Sequence, residues 1–244
     1  MTSLWTIRAM PTTPSPSSFA LTGISSMATR AVLADLVEAY PGRTQQAIDI
    51  VSIGGVDAAR RVEAGEAFDL VFLASDVIDR LIAAGRLLPG RVDLVRSGIA
   101  VAVQAGAAHP DLSHADAVRA ALIAARSIGV STGPSGGALK DLFKRWGVDT
   151  QIESRLITAP PGVPVGRLVA EGQIELGFQQ LSELIHLPGI ELLSPLAPEI
   201  CLTTVFSAGI SSQSRQSDAA RSLLDFLISP AATPIKQRHG MEPV

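Results

Sequence analysis

Short apolar runs alternate along this chain with segments in which apolar residues recur every three or four positions. The short runs predict buried strands, and the longer spacing predicts amphipathic helices. The first such helix carries Val32, Leu33, Leu36, Val37 and Tyr40 on one face. Alternating strands and helices are typical of an α/β fold with a largely parallel sheet flanked by helices.

The predicted elements follow one another through most of the chain. Strands are predicted at residues 19–22, 47–52, 70–73, 98–104, 127–131, 155–158, 174–178 and 203–209. Helices are predicted at residues 32–40, around 60–63, and at 78–84, 115–125, 138–146, 165–170 and 218–228.

This order of elements predicts two lobes with a ligand cleft between them. The first lobe is expected to contain residues 19–98 and 206–244, and the second lobe residues 99–205. Residues 1–18, rich in Pro, Ser and Thr, are expected to form a flexible leader. The strands near residues 98–104 and 203–209 would carry the chain between the lobes.

The composition narrows the possible functions. With 244 residues, 47% of them hydrophobic and 18% charged, the chain is long and apolar enough for a globular core. Twenty basic residues against 23 acidic ones give a net charge of −3, without the basic excess that nucleic-acid binding needs. The single cysteine, Cys201, excludes an internal disulfide and is expected to be a small core residue.

The sequence also bears on location. It contains no run of 18 apolar residues, so no spanning helix is expected. Pro11, Pro14 and Pro16 interrupt the N-terminal segment where a secretory signal would need an apolar stretch. A cytoplasmic location is therefore expected, or a periplasmic one if an export signal has been removed.

Loops of Gly, Ser and Pro lie between a predicted strand and a predicted helix at residues 23–26, 53–56, 131–137 and 160–164. Ligands of open parallel sheets bind at the carboxyl ends of the strands, where helix N-termini offer unpaired N–H groups. Four such loops facing one cleft predict a site for a small anion. Taken singly, each loop is more typical of an ordinary tight turn.

The sequence gives little support for a phosphate-loop, serine-hydrolase or metal site. Lys140 is not part of a G-K-[ST] motif, so a Walker phosphate site is rejected. Ser135 lies in the sequence GPSGG, but Pro134 stands where the sharp strand-to-helix turn of a nucleophile elbow would begin, so a serine hydrolase is a poor third choice. The four histidines show no metal-binding spacing, so neither a metal nor a cofactor is expected. Glu183 is the acidic residue nearest to a predicted strand end, which makes it the candidate for acid–base chemistry.

Three segments resemble the type II periplasmic binding protein fold, and in particular its molybdate-binding branch. They are residues 25–27, residues 60–76 with the sequence RRVEAGEAFDLVFLASD, and residues 169–177 with the sequence VAEGQIELG. The resemblance extends from about Phe19 to the C-terminus. It implies two α/β lobes that close on a ligand by hinge motion.

This resemblance also implies contacts to an oxyanion. Carried over to this chain, they fall on Ser26, Gly54 or Gly55, Ser135, Gly162 or Val163, and Gln180. Two departures count against molybdate, because glycines replace the serine of the second loop and Gln180 replaces a tyrosine. Each missing hydroxyl would cost about 1–3 kcal/mol for a buried anion.

A closer resemblance is to the branch that contains aconitate isomerase. It is carried by residues 91–99, 106–111, 177–184 (GFQQLSEL) and 240–244 (GMEPV). It implies an isomerase that binds a small polycarboxylate in the cleft and shifts a double bond by moving an allylic proton. Glu183 is the catalytic candidate, and the binding candidates are Ser25, Ser26, Gly54, Gly55, Ser135, Gly136, Gly162, Val163, Gln179 and Gln180.

A second interpretation stays open. The same fold is implied for non-catalytic solute-binding proteins that deliver a small oxyanion or carboxylate to an ABC permease. The expected partner is a small anion in either case, with a permease only in the second, and with neither nucleic acid nor membrane insertion.

Overall fold

The computed structural model describes residues 20–160, 162–194 and 196–244, whose strands join in one curled mixed sheet. The strands are β1 (Leu21–Ser26), β2 (Ile48–Ile53), β3 (Leu70–Ala74), β4 (Val92–Gln104), β5 (Ile128–Val130), β6 (Leu156–Thr158), β7 (Leu176–Gln180), β8 (Ile190–Leu192), β9 (Thr203–Ile210) and β10 (Glu242–Pro243).

Helices flank this sheet. They are α1 (Arg30–Ala39), α2 (Gly55–Glu63), α3 (Ser75–Ala83), α4 (Ala115–Ala124), α5 (Pro134–Arg145), α6 (Asp149–Ile152), α7 (Val165–Ala170), α8 (Leu181–Leu184), α9 (Ser217–Leu227) and α10 (Thr233–Arg238). Short 3-10 helices lie at Met27–Thr29, Pro41–Thr44, Glu153–Arg155, Pro198–Ile200 and Pro230–Ala232.

The strand order is β2-β1-β3-β9-β4-β7-β5-β6, with β8 and β10 also paired to β4. The strands of the strand–helix units pair in parallel, β1 with β2 and β3, and β5 with β6 and β7. Strands β4 and β9 run antiparallel to their neighbours. The sheet is therefore mixed, because the two strands that join the lobes run against the parallel strands of each lobe.

The long strand β4 belongs to both lobes. Its first half, up to Gly98, pairs with β9, and its second half, from Ile99, pairs with β7. The predicted change of lobe near residue 98 falls where β4 changes partner. The two halves of the sheet are thus joined by the continuous backbone of β4.

Each lobe is covered by aliphatic side chains on both faces of its sheet. In the first lobe Leu36 and Leu223 pack on one face, and Val62 and Ile78 on the other. In the second lobe one face is covered from α4 and α5 and the other from α7 and α8. Strands buried on both faces explain the nearly continuous apolar runs in the sequence.

Two predicted boundaries are wrong in ways that matter for the site. Strand β1 continues to Ser26, so the predicted loop at residues 23–26 is strand. Helix α5 begins at Pro134, so the predicted loop at residues 133–137 is mostly the first turn of a helix. Proline favours this first helical position, since its fixed φ suits a helix and its missing N–H costs nothing there.

Three further predictions bear on the ends and surface of the chain. The leader predicted at residues 1–18 lies outside the described residues, and so does Phe19. Cys201 is exposed rather than in the core, because it follows the surface 3-10 helix Pro198–Ile200. Within the part of the chain that the structure describes, every helix is too short or too polar to cross a bilayer.

Candidate functional site

A cavity of about 70 Å³ lies between the lobes, at the carboxyl ends of β1, β2, β5, β6 and β7. The predicted site residues that line it are Ser26, Gly54, Gly55, Ser135, Gly162, Val163, Gln179, Gln180 and Glu183. The structure therefore brings together residues from both lobes that are up to 157 positions apart along the chain, from 26 to 183.

Helix N-termini surround the cavity. The residues preceding the 3-10 helix Met27–Thr29, helix α2 and helix α5 are Ser26, Gly54 and Gly133, and all three line the cavity. Gly54 and Gly133 have no side chain to cap a helix, and the Ser26 side chain makes no capping hydrogen bond. The first amides of a helix have no partner within it, so uncapped N-termini at a cavity suit a bound anion.

Two serine hydroxyls at the cavity have only long hydrogen bonds within the protein. Ser26 Oγ lies 3.4 Å from Thr29 Oγ1, and Ser135 Oγ lies 3.3 Å from Ser131 Oγ. Hydroxyl hydrogen bonds are usually 2.7–2.8 Å long, so neither contact is strong. Both hydroxyls can turn to a ligand at little cost.

Glu183, on helix α8, is the acidic side chain at the cavity. Burial raises its pKa to about 7, and a hydrogen bond from Gln179 opposes that rise. Burial disfavours the charged carboxylate, which is the larger of the two effects. Near neutral pH this carboxyl group is therefore divided between its protonated and ionised forms.

The cavity has no cationic side chain among the described residues that line it. An anion bound there would be held by N–H and O–H dipoles rather than by an ion pair. The described residues also contain no group of three or more potential metal-ligating side chains.

Gln179 uses both ends of its amide within the protein. Its Oε1 accepts a hydrogen bond from the backbone N–H of Gly166 at 3.0 Å, and its Nε2 donates to Glu183 Oε1 at 2.8 Å. The side chain is only 2% exposed. Although it lies at the cavity, it is already engaged with helices α7 and α8.

Gln180 is likewise engaged, at the place where the chain passes between the lobes. In the orientation that satisfies both ends of the amide, Nε2 donates to the Ser97 carbonyl at 3.0 Å and Oε1 accepts from Thr204 Oγ1 at 2.9 Å. Ser97 lies on β4 and Thr204 on β9. The polar group predicted to contact a ligand thus holds the two connecting strands.

Three other predicted residues have structural partners. Ser25 is fully buried, and its hydroxyl lies 2.7 Å from that of Ser52, between strands β1 and β2. A Cβ atom on Gly136 would lie 1.9 Å from the Ser131 carbonyl oxygen, so glycine is needed there for close packing. The N–H of Val163 donates to the Pro160 carbonyl at 3.0 Å. Ser25 and Gly136 do not line the cavity.

Some lining residues were not predicted as site residues. Thr132 and Gly133 follow β5, so the position after a buried strand is the signal that marks them. Phe206 lies on the connecting strand β9 and reaches the cavity only because β9 pairs with β3 and β4. Nothing in its local sequence indicates that placement.

A groove of about 370 Å³ adjoins the cavity on the first lobe. Ser26, Gly55, Thr132, Gly133, Pro134 and Phe206 line both spaces. The groove adds Arg60 and Arg80, together with Glu63 and Asp76. Two cationic and two acidic side chains therefore lie beside the cavity, and Arg60 already pairs with Asp57 at 3.1 Å.

Comparisons with known proteins agree with this architecture. The family described as bacterial extracellular solute-binding protein matches residues 21–242. The chain is 36% identical over 233 residues to an aconitate isomerase from Pseudomonas sp, covering 92% of this chain and 88% of that protein.

Solved structures share the fold at lower identity. The periplasmic molybdate-binding protein of Azotobacter vinelandii aligns with a TM-score of 0.75 at 22% identity, over 91% of this chain and 98% of that one. A sulfate-binding protein from Mycobacterium tuberculosis aligns with a TM-score of 0.74 at 16% identity, over 92% of this chain and 87% of that one. At these identities the likeness establishes the two-lobed fold alone.

Proposed function

The chain belongs to the family of bacterial extracellular solute-binding proteins, and we propose that it uses this fold as an isomerase of a small, aconitate-type polycarboxylate. One observation carries the proposal. The cleft contains a carboxyl group, Glu183, with a pKa of about 7 in a cavity lined by uncapped helix N-termini. The similarity to an aconitate isomerase supports the same conclusion.

Glu183 suits the movement of an allylic proton. A group with a pKa near the working pH is an effective general acid and base, because both of its forms are well populated. The ionised carboxylate would remove a proton from the methylene carbon next to the double bond. The double bond would then shift, and the protonated carboxyl would return the proton to the other end of the allylic system. No atom is gained or lost overall.

The helix N-termini would stabilise the charge that develops during this transfer. Removing the allylic proton spreads negative charge over the carbon chain and its carboxylate. Amides of α2 and α5 and the hydroxyls of Ser26 and Ser135 lie at the cavity before a ligand arrives. Dipoles that are already oriented stabilise developing charge without reorganisation.

The size of the cavity implies either opening of the lobes or use of the adjoining groove. At about 70 Å³ the cavity is small, since ligand pockets usually measure about 300–1,000 Å³. The adjoining groove of about 370 Å³ contains Arg60 and Arg80. We expect one carboxylate in the cavity and a second near these arginines, which favours a polycarboxylate over a simple oxyanion.

The test is to incubate the protein with cis- or trans-aconitate in heavy water and to follow the products by proton NMR. An isomerase interconverts the two compounds and exchanges their allylic protons for deuterons. Glu183→Gln should retain binding and lose at least a hundredfold in rate, the usual contribution of a general acid–base group. Glu153→Gln, at an exposed site away from the cleft, is the matched control.

A ligand that binds but stays unchanged would contradict the isomerase. It would favour the second candidate function, a solute-binding protein for a small oxyanion or carboxylate. The family and the molybdate- and sulfate-binding structural neighbours support that candidate. Equal rates for wild type and Glu183→Gln would instead retain the isomerase and reject Glu183 as its base.

Location separates the two candidates as well. A protein that delivers a ligand to an importer works outside the inner membrane, whereas an isomerase can work in the cytoplasm. The cytoplasmic location expected from the sequence stays a prediction, which cell fractionation would test.

A further inference from the structure

The buried amide of Gln179 connects helix α7 to the carboxyl group of Glu183. We propose that Gln179 is a positioning residue, which fixes Glu183 so that its Oε2 carries the transferable proton toward the ligand. The inference rests on the proposed function in giving Glu183 the proton transfer. It differs from the sequence-based expectation, in which Gln179 binds the substrate itself.

The hydrogen bonds determine the orientation of both side chains. The N–H of Gly166 can only donate, so the atom of Gln179 facing it must be the oxygen. The amide nitrogen of Gln179 then points at Glu183 Oε1 and donates to it at 2.8 Å. Because Oε1 faces a donor, a proton on Glu183 must reside on Oε2. Among the described residues no side chain or amide is hydrogen-bonded to Oε2, so that oxygen is available to a ligand.

Close packing fixes the position of Gly166, whose N–H donates to Gln179. Gly166 lies in the first turn of α7, where a Cβ atom would come within 2.5 Å of the Leu184 side chain. Leu184 is the residue after Glu183, on helix α8. The contact between α7 and α8 therefore fixes the distance that the Gln179 amide spans.

Among the described residues Glu183 makes no ion pair, and the hydrogen bond from Gln179 is the interaction that lowers its pKa. Helix α8 otherwise contains Leu181, Ser182 and Leu184, and strand β7 presents Gln179 and Gln180. On α7, Arg167 pairs with Glu171 at the surface. His186, the next titratable residue along the chain, packs its ring against that of His239. Within the described residues, Gln179 is thus the hydrogen-bond partner of the Glu183 carboxyl group.

The experiment measures the titration of Glu183 directly, by carbon-13 NMR of the side-chain carboxyl in ligand-free protein. In Gln179→Met, a side chain of similar length, we expect the midpoint to rise by about one pH unit above that of wild type. The rise follows because a hydrogen bond to the ionised form is lost. The pH profile of allylic proton exchange should move in the same direction.

Gln173→Met is the matched control. Gln173 also donates its Nε2 to a glutamate, Glu171, at 2.9 Å, but it is exposed and away from the cleft. This control should leave both the midpoint of Glu183 and the exchange profile unchanged. Gln179→Glu is a second variant for the case in which the methionine variant does not fold, since it keeps the shape and the acceptor for Gly166. The pair of carboxyl groups should then titrate in two steps, with the upper step above the wild-type midpoint, because the two groups would share one proton.

A midpoint that stays at the wild-type value in both Gln179 variants would overturn the inference. The outcome is independent of whether the protein is an isomerase, since the titration needs no substrate. If the midpoint moves while aconitate is never converted, Gln179 positions Glu183 and the proposed function is wrong. If aconitate is converted and the midpoint does not move, the function stands and the positioning role is rejected.

Discussion

Replacing Glu183 by glutamine should stabilise the ligand-free protein at alkaline pH. Burial raises the pKa of Glu183 from 4.5 to about 7, so the folded protein holds a proton that the unfolded chain has lost. As the pH rises from about 4.5 to 7, this carboxyl group ionises in the unfolded chain but stays largely protonated in the folded protein. The free energy of unfolding therefore falls over this range. The stability contribution of the protonated group is complete below pH 4.5 and is lost as the pH passes 7.

The magnitude follows from the size of this shift. A change of about 2.5 pH units, from 4.5 to about 7, corresponds at about 1.4 kcal/mol per unit to roughly 3 kcal/mol. Glutamine has the shape of glutamate, and its Oε1 can still accept the hydrogen bond from Gln179. The variant is thus expected to gain up to about 3 kcal/mol relative to wild type at pH 8 and almost nothing at pH 4.5.

Urea unfolding at pH 5, 6, 7 and 8, followed by circular dichroism, measures the difference. The gain of Glu183→Gln over wild type should rise with pH and level off above about pH 7. Glu153→Gln, an exposed change of the same kind, should show no such trend. A difference that is the same at every pH, or that grows as the pH falls, would refute the argument that burial controls this carboxyl group.

Three further predictions concern the cavity and its walls. The affinity for trans-aconitate, measured by calorimetry, should fall as the pH rises from 6 to 8, because ionised Glu183 repels an anion and none of the described cavity-lining residues is a cation. This dependence should be absent in Glu183→Gln. Ser135→Ala should weaken binding by about 1–3 kcal/mol and leave the ligand-free melting temperature unchanged, since its hydroxyl lies 3.3 Å from Ser131 Oγ; a lowered melting temperature would make it a structural residue. Gly136→Ala should destabilise the fold by about 1–3 kcal/mol or more in urea titrations, whereas Gly137→Ala, where a Cβ atom meets nothing within 4 Å, should not.

The fold was predictable because its signals are local. Helix α7 was predicted at residues 165–170 and is found at Val165–Ala170, between a proline and a glycine turn that limit it on both sides. The boundaries that were wrong depend on tertiary contacts. Strand β1 extends through Ser25 and Ser26 because β2 continues to pair with it, which the small polar side chains themselves do not indicate.

That most of the predicted site residues lie around one cavity was predictable, whereas the hydrogen bonds of each residue were not. Ser26 and Ser135 were assigned to the site by the family resemblance. Position after a buried strand predicted only the loops that converge there, because the carboxyl ends of neighbouring strands meet whatever follows them. It could not show that Gln179 and Gln180 are already hydrogen-bonded within the protein, since their partners come from α7, β4, β9 and α8. Side-chain orientation depends on those long-range contacts, which have no local pattern.

Because none of the described residues that line the cavity is cationic, a bound anion and an exchangeable proton on Glu183 can share this site. A lysine or arginine beside Glu183 would bind an anion strongly, but it would also lower the pKa of the carboxyl group and leave it ionised at neutral pH. Helix N-termini offer attraction for an anion through partial charges that are spread over several amides. With helix N-termini in place of a cation, burial remains the largest effect on the pKa of Glu183, which is about 7. With Arg60 and Arg80 placed in the adjoining groove rather than in the cavity, a polycarboxylate can be attracted at one end while its other end meets an acid that still exchanges protons.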